Sequence, residues 1–238
     1  MIPLLTEQPA RGLRFGRAHP LFVRQEAVSI GLTTPVSLLY ASDLHLTGNG
    51  ALVAARIIAA TELHRPDAVL LGGDLVEGKA GLGPLEHMVR ALSAVAPVLA
   101  VEGNHDRFWG TADVRSAVVR GSGHWLADGT KRISDLELVA RPDALSSAGP
   151  SCVVGHEPSV FPQAVKWGAR LVFAGHLHGG QCVLTERGGR MYPAALFYRY
   201  NGLRFSEGQT TMLVSRGASD TVPVRYDCPT EVIVCRLS

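Results

Sequence analysis

Residues 67–74, Asp-Ala-Val-Leu-Leu-Gly-Gly-Asp, hold an unbroken apolar run that stops at two glycines and an acid. Apolar side chains without polar alternation suit a strand buried on both faces, as in a parallel sheet. The same pattern recurs on either side. Val36–Ala41 is a short β-leaning run ending at Ser42-Asp43-Leu44-His45, and Val98–Val101 ends at Glu102-Gly103-Asn104-His105-Asp106. Two helical stretches separate these strands. Ala51–His64 is Ala-rich with apolar residues at helical spacing and Pro66 just beyond, while Leu85–Val95 is opened by Pro84 and stopped by Pro97. The order is therefore β-α-β-α-β, with a polar cluster at the end of each strand. Ligands of such sheets sit outside the carboxyl ends of the strands, where these clusters fall.

The second half is richer in strands. Leu136–Ala140 reads as one, Ser151–Val154 leads to Gly155-His156, and Ala169–Ala174 leads to Gly175-His176-Leu177-His178. Turn-rich stretches follow at Glu186–Gly189 and Asn201-Gly202, then two late strands near Thr210–Ser215 and Glu231–Leu237. With no internal repeat and no linker, the 238 residues read as a single domain: an N-terminal arm or edge strand over 1–35 and a core over 36–237.

Composition narrows the class. The chain is 46% apolar and 18% charged, which excludes disorder as its main state, and a net charge of +2 gives no bulk attraction to nucleic acid or anionic membranes. Four cysteines (Cys152, Cys182, Cys228, Cys235) form no CxxC pair, although Cys228 and Cys235 are close enough in sequence to meet. Scattered thiols in a chain this long point to a reducing compartment. No apolar run approaches the roughly 20 residues needed to span a bilayer. The expectation is a cytoplasmic chain, with peripheral contact at the inner face of the membrane as the limit. The interleaving of Leu13, Phe15, Leu21 and Phe22 with Arg11, Arg14, Arg17 and Arg24 is what keeps that contact open.

The chemistry lies in the strand-end clusters. Five of the nine histidines fall there, together with Asp43, Asp74 and Asn104. A lone histidine after a strand is usually a hydrogen-bonded structural residue. Five at equivalent strand ends converge on one rim if the strands are neighbours. The donors are imidazole nitrogens, carboxylate oxygens and one amide oxygen, without thiolate, a set that suits Zn, Mn, Fe or Co. Asp43, His45, Asp74, Asn104, His156, His176 and His178 are too many ligands for one tetrahedral ion and about right for two ions sharing a bridge. Two metals roughly 3.5–4 Å apart can clamp a phosphoryl group and supply hydroxide at neutral pH. The glycines would let the backbone approach an anionic substrate closely.

The ordered series Asp43-x-His45, Gly73-Asp74, Gly103-Asn104-His105-Asp106, Gly155-His156 and Gly175-His176-x-His178 resembles the calcineurin-like metallophosphoesterase superfamily. Continuation into Gly179-Gly180-Gln181, with Val214–Gly217 and Pro223–Arg225 in the tail, is similar to the bacterial branch carrying GHxHGGQ. The resemblance implies an α/β fold, a four-layer αββα sandwich with two mixed β-sheets. It implies two divalent or trivalent transition-metal ions, Mn, Zn or Fe. Asp43, His45 and His178 would hold the first ion, Asn104, His156 and His176 the second, and Asp74 both. His105 would be the catalytic residue, protonating the leaving oxygen while oriented by a neighbouring carboxylate, as hydroxide between the metals attacks phosphorus. Relatives in this branch often carry a longer insert between Asn104 and His156. The compact segment here implies a more open rim.

The function expected is hydrolysis of a phosphodiester or pyrophosphate bond in a small phosphorylated substrate, with nucleotide-sugar or lipid-linked pyrophosphates as candidates and no specific nucleic acid partner. A phosphomonoesterase is the alternative within the same class, since two metals do not choose between esters. A non-catalytic metal-binding scaffold is the competing class, disfavoured because no ligand is missing. A metallo-β-lactamase-type centre is excluded for want of an HxHxDH block. Phe108-Trp109, just after the third cluster, could wall a leaving group or pack a loop. Arg187, Arg190, Arg199 and Arg204 make the segment after the last cluster basic, read as solvated loop charge or a hold on a second phosphate or headgroup.

Overall fold

A computed structural model describes residues 4–9, 11–16, 19–146 and 149–238; Arg17 and parts of the 1–35 arm lie outside them. In chain order, β1 (Leu5–Thr6), β2 (Leu13–Phe15), β3 (Leu21–Val28) and β4 (Val36–Ala41) precede α1 (Ala51–His64) and β5 (Ala68–Gly72). Then come α2 (Leu82–Ser93), β6 (Val98–Val101), α3 (Asn104–Trp109), α4 (Thr111–Arg120) and β7 (His124–Trp125). The second half holds β8 (Lys131–Ile133), β9 (Leu136–Val139), β10 (Ser151–Val154), α5 (Phe161–Lys166) and β11 (Leu171–Ala174). It continues with β12 (Val183–Arg187), β13 (Arg190–Pro193), β14 (Arg204–Glu207), β15 (Thr210–Val214), β16 (Val224–Tyr226) and β17 (Glu231–Leu237).

Seven strands form one sheet in the order β1-β3-β17-β4-β5-β6-β7, and six form another in the order β14-β15-β11-β10-β9-β8. Both are mixed: β17 runs antiparallel to β4, and β14 and β8 run antiparallel to their neighbours. The apolar runs are explained by double burial. In β5, Ala68 and Leu70 face the second sheet while Val69 and Leu71 face the helices; in β11, Leu171 and Phe173 face inward while Val172 and Ala174 face α5. Residues of α1, α2 and α4 cover the outside of the first sheet, and Phe161 and Ala164 of α5 cover the second. The architecture is the four-layer αββα sandwich. Tyr40 and Phe173 stack across the two sheets with ring centroids 4.8 Å apart.

Several local expectations change. The N-terminal segment supplies the edge strand β1 and also β3, which lies inside the sheet between β1 and β17 with Leu21 and Val23 buried against the helical layer. Helix α2 begins at Leu82, ahead of Pro84. A proline in the first turn costs no hydrogen bond, since those N–H groups have no intrahelical partner. The turn expected at Glu186–Gly189 is the tip of a β12–β13 hairpin whose strands were not anticipated. All four cysteines are free: Cys235 faces the inter-sheet core, and Cys228 packs with Val183 and Met191. No described helix is long and apolar enough to cross a membrane.

Candidate metal centre

The carboxyl ends of β4, β5 and β6 in one sheet and of β10 and β11 in the other meet along one rim. Hydrogen bonds cross between the sheets there. The His156 Nδ1–H donates to the Gly72 carbonyl (2.9 Å), and the His176 backbone N–H donates to Asp43 Oδ1 (3.0 Å). All seven expected ligands and His105 arrive at this rim. Asp43, His45 and His178 form one group of potential ligand atoms lying within 4.8 Å of one another, and Asp74, His156 and His176 form a second. Asn104 joins the second group, its Oδ1 3.0 Å from His156 Nε2. Asp74 links the two, because it also groups with His45 and His105.

The backbone is bent to bring them together. Asp43, His45, Asp74, His176 and His178 have φ of 55°, 43°, 52°, 69° and 49°, half of the ten non-glycine residues with positive φ among those described. Left-handed backbone costs on the order of 1–3 kcal/mol for a side-chain-bearing residue and persists only where its surroundings hold it. The glycines leave room for the candidate ligands themselves. A Cβ on Gly103 would lie 2.1 Å from Asp74 Oδ1, and one on Gly175 would lie 2.5 Å from Asp43 Oδ2.

Carboxylates behind the histidines fix their tautomers. The His45 Nδ1–H donates to Glu77 Oε2 (2.7 Å), and the same oxygen lies 2.9 Å from His105 Nδ1. His178 Nδ1 is 3.3 Å from Asp220 Oδ1 and 3.4 Å from Arg225 Nη2. The guanidinium nitrogen has closer acceptors in Asp220 Oδ1 (2.6 Å) and the Arg216 carbonyl (2.7 Å), so the ring proton goes to Asp220. Asp220 is held well below the usual carboxylate range: burial opposes this, but hydrogen bonds from His178 and Arg225 outweigh it.

With both Nδ1 atoms acting as donors, the Nε2 lone pairs of His45 and His178 face each other at 3.3 Å, and Asp43 Oδ1 lies 3.5 Å from the latter. Three acceptors converge without a donor, an arrangement that a cation resolves. Burial and the neighbouring His178 lower the pKa of His45, which keeps its lone pair available. The second cluster has the same logic. His156 Nε2 faces Asn104 Oδ1 and Asp74 Oδ2 (3.2 Å), where only a proton or a metal can sit. Without metal a proton takes the place: burial disfavours it, yet the Asp74 hydrogen bond and the fields of Asp43 and Asp74 lift His156 to about 9. Asp74 is correspondingly pulled down to about 2 against its own burial. The residues present fit metal ions.

Sequence reasoning missed three contributors. Glu77 was anticipated only as an unnamed carboxylate, although it follows Asp74 by three residues in the same strand-end loop. Asp106, the last residue of the third cluster, is fully buried and accepts the backbone N–H groups of Leu75, Val76 and Gly103, tying two ligand loops together. Asp220 carried no local signal, lying far along the chain from the ligand it orients. Phe108 and Trp109 are exposed and stack edge to face on each other, so they pack no core.

Imidazole and carboxylate groups at the shared rim of a two-sheet α/β sandwich define a hydrolytic metal centre. The chain belongs to the calcineurin-like phosphoesterase family, whose model it matches over residues 36–180. It is a metal-dependent phosphoesterase. It is 26% identical over 223 residues to phosphodiesterase YaeI of Escherichia coli K12, covering 85% of this chain and 82% of that one. It is 25% identical to the uncharacterized protein YpbG of Bacillus subtilis 168, covering 85% and 81%. Among solved structures it is similar to an archaeal phosphodiesterase at 16% identity and a TM-score of 0.46, over 75% of this chain and 82% of that one.

Proposed function

We propose that the chain hydrolyses a phosphodiester or pyrophosphate bond with two transition-metal ions, Mn, Zn or Fe. The observation that carries this reading is the pair of ligand clusters joined through Asp74. Asp43, His45 and His178 would hold one ion, Asn104, His156 and His176 the other, and Asp74 would touch both. When bound, the ions polarise a phosphoryl oxygen and lower the pKa of water toward about 7.

The chain's own groups do the rest. His105 protonates the departing oxygen. Its side chain is 32% exposed, against 1% for His45 and 4% for His156, so it is open to a substrate as those rings are not. Glu77 accepts the Nδ1–H of His105, so in the doubly protonated ring the Nε2–H is the proton free for transfer, and a positioned acid of this kind contributes roughly 10²–10⁴-fold. The Asp43 and Asp74 carboxylates are held in place by Ser42 Oγ (2.6 Å from Asp43) and the backbone N–H groups of His176 and His105. The name of YaeI supports the diester over the monoester.

The test is to strip the metals, restore Mn, Zn or Fe singly, and assay bis-p-nitrophenyl phosphate beside p-nitrophenyl phosphate. Metal-dependent diester cleavage that Asp74→Ala abolishes is the expected result. Preference for the monoester would replace the reading with a phosphomonoesterase, and metal binding without cleavage of either would favour a scaffold.

A further inference from the structure

The segment Leu196-Phe197-Tyr198 exposes three large apolar side chains in succession, at 71%, 80% and 53% of their surface. Such a run on a loop is normally mobile or covered, but this one is pinned from beneath. The Phe197 and Tyr198 N–H groups both donate to the Ala194 carbonyl (3.0 Å each). Arg190 Nη2 donates to the carbonyls of Ala195 and Tyr198. Asn201 and Met191 exchange bonds in both directions, with Asn201 Nδ2 donating to the Met191 carbonyl (2.7 Å) and the Met191 N–H donating to the Asn201 carbonyl (2.8 Å). Tyr200 anchors the segment edge-on between Phe161 and Phe205, with centroids 5.7 and 5.3 Å away. The fold thus holds Phe197 and Tyr198 outward on a fixed base.

They line a cleft together with one member of the second ligand cluster, His176. A cleft of about 370 Å³ is lined on one side by Phe197, Tyr198 and Arg199 and on the other by His176, with Glu157 and Ser159 at its rim. Arg199 lies over the Tyr200 ring, its Cζ 5.2 Å from the centroid, which adds positive charge to the aromatic wall. A separate cleft of about 500 Å³ shares Glu157 and Ser159 with the first and includes His156; Arg107 and Arg141 line it beside aliphatic Val101, Val154 and Val160, with no Phe, Tyr or Trp. The two sides of the centre therefore offer different chemistry. We propose that the cleft beside His176 is a subsite for a planar aromatic substituent of the phosphate ester, stacked on Phe197 and Tyr198. A flat ring can lie face to face on these exposed aromatic side chains, a contact that an aliphatic chain does not reproduce. This rests on the phosphoesterase reading of the centre and names one side of its substrate.

The test measures binding, so that it is independent of turnover. The full chain loaded with Mn²⁺ is titrated calorimetrically with phenyl phosphate, cyclohexyl phosphate, octyl phosphate and methyl phosphate. Phenyl phosphate is expected to bind about tenfold more tightly than methyl phosphate and more tightly than either aliphatic ester, in keeping with ring stacking measured by truncation. In a Phe197→Ala/Tyr198→Ala variant the phenyl-to-methyl ratio falls toward one. Both side chains are largely in solvent, so their loss creates no core cavity. Leu184→Ala, which removes an exposed apolar residue outside the cleft, keeps the ratio. The proposal is overturned if the ratio survives in the double variant, if an aliphatic ester matches phenyl phosphate, or if no ester binds the loaded chain. Failure of the phosphoesterase reading shows separately, as bis-p-nitrophenyl phosphate cleavage that is absent or indifferent to metal.

Discussion

The Asp220 carboxylate lies 3.3 Å from Nδ1 of His178 and is gripped by Arg225, with Nη2 2.6 Å from Oδ1 and Nε 2.8 Å from Oδ2. The carboxylate fixes which ring nitrogen turns toward Asp43 and His45, and Arg225 fixes the carboxylate. Gln181 adds a third hold, its Nε2 donating to Asp220 Oδ1 (2.9 Å). Carboxylates behind metal-binding histidines are typically worth about 10–100-fold in metal affinity. Asp220→Asn should therefore weaken one of two metal sites by about that factor and leave the other unchanged. Manganese titration followed by electron paramagnetic resonance reads this directly. Equal weakening of both sites, or of neither, would remove Asp220 from this role. Asp220→Ala is the harsher change, since it strands the buried Arg225 guanidinium and should cost about 3–5 kcal/mol of stability.

Glu77 serves two rings with one oxygen, at 2.7 Å from His45 and 2.9 Å from His105. If His105 is the acid, its importance depends on how much help the leaving oxygen needs. His105→Ala should slow an alkyl diester by about 10²–10⁴-fold and a p-nitrophenyl diester far less, because p-nitrophenolate departs without a proton. Glu77→Gln should show the same dependence on leaving group with an added loss of metal affinity through His45. A uniform loss across leaving groups in His105→Ala would instead mean that the ring only positions the substrate.

These two carboxylates also mark how far the sequence could be read. Short-range patterns were legible: the apolar strands ending in polar clusters led to the residues that gather at the rim, because a strand buried on both faces shows itself as an unbroken run and its end is where the backbone turns. Helix α1 was legible to the residue, since its apolar spacing marks it and Pro66 follows its end. Long-range pairings were not. Nothing near His178 in sequence announces Asp220, 42 positions on, and the placement of β17 between β3 and β4 depends on closing the sheet rather than on any local signal. The β12–β13 hairpin was hidden for a different reason, since Leu184, Thr185, Glu186 and Arg187 of β12 all face solvent and leave no apolar alternation to read.

Gly103 offers a test of the steric logic of the rim. A Cβ there would sit 2.1 Å from Asp74 Oδ1 and 2.3 Å from the Asp74 backbone nitrogen, neither of which can yield without moving the shared ligand. Gly103→Ala should therefore cost metal binding at both sites and several degrees of thermal stability, whereas Gly83→Ala in α2, with open space around it, should cost neither. Metal content by mass spectrometry of the native protein, beside a melting curve, decides the point. A Gly103→Ala protein that keeps two ions would show that the loop relaxes more easily than its packing indicates.

The proton on His156 predicts how the metal-free chain responds to pH. Its pKa is raised from an unperturbed value of about 6.5 to about 9. The stability it contributes is complete below about pH 6.5 and is lost as pH rises through 9. Its partner Asp74 is lowered to about 2, so that carboxylate's contribution is present above about pH 4 and is lost as pH falls through 2. The metal-free chain should gain most from the pair between about pH 4 and 6.5 and weaken between 6.5 and 9. A metal ion at this cluster must displace the His156 proton, so the melting-temperature increase on adding Mn²⁺ should grow over that same interval. Calorimetry at pH 7 in buffers of different ionisation enthalpy should register close to one proton released at this site. His156→Gln should remove both the pH-dependent stability of the metal-free chain and that proton. A metal-induced stabilisation that is flat from pH 6 to 9 would mean that His156 is neutral before metal arrives, and that Asp74 and Asn104 hold the site open without it.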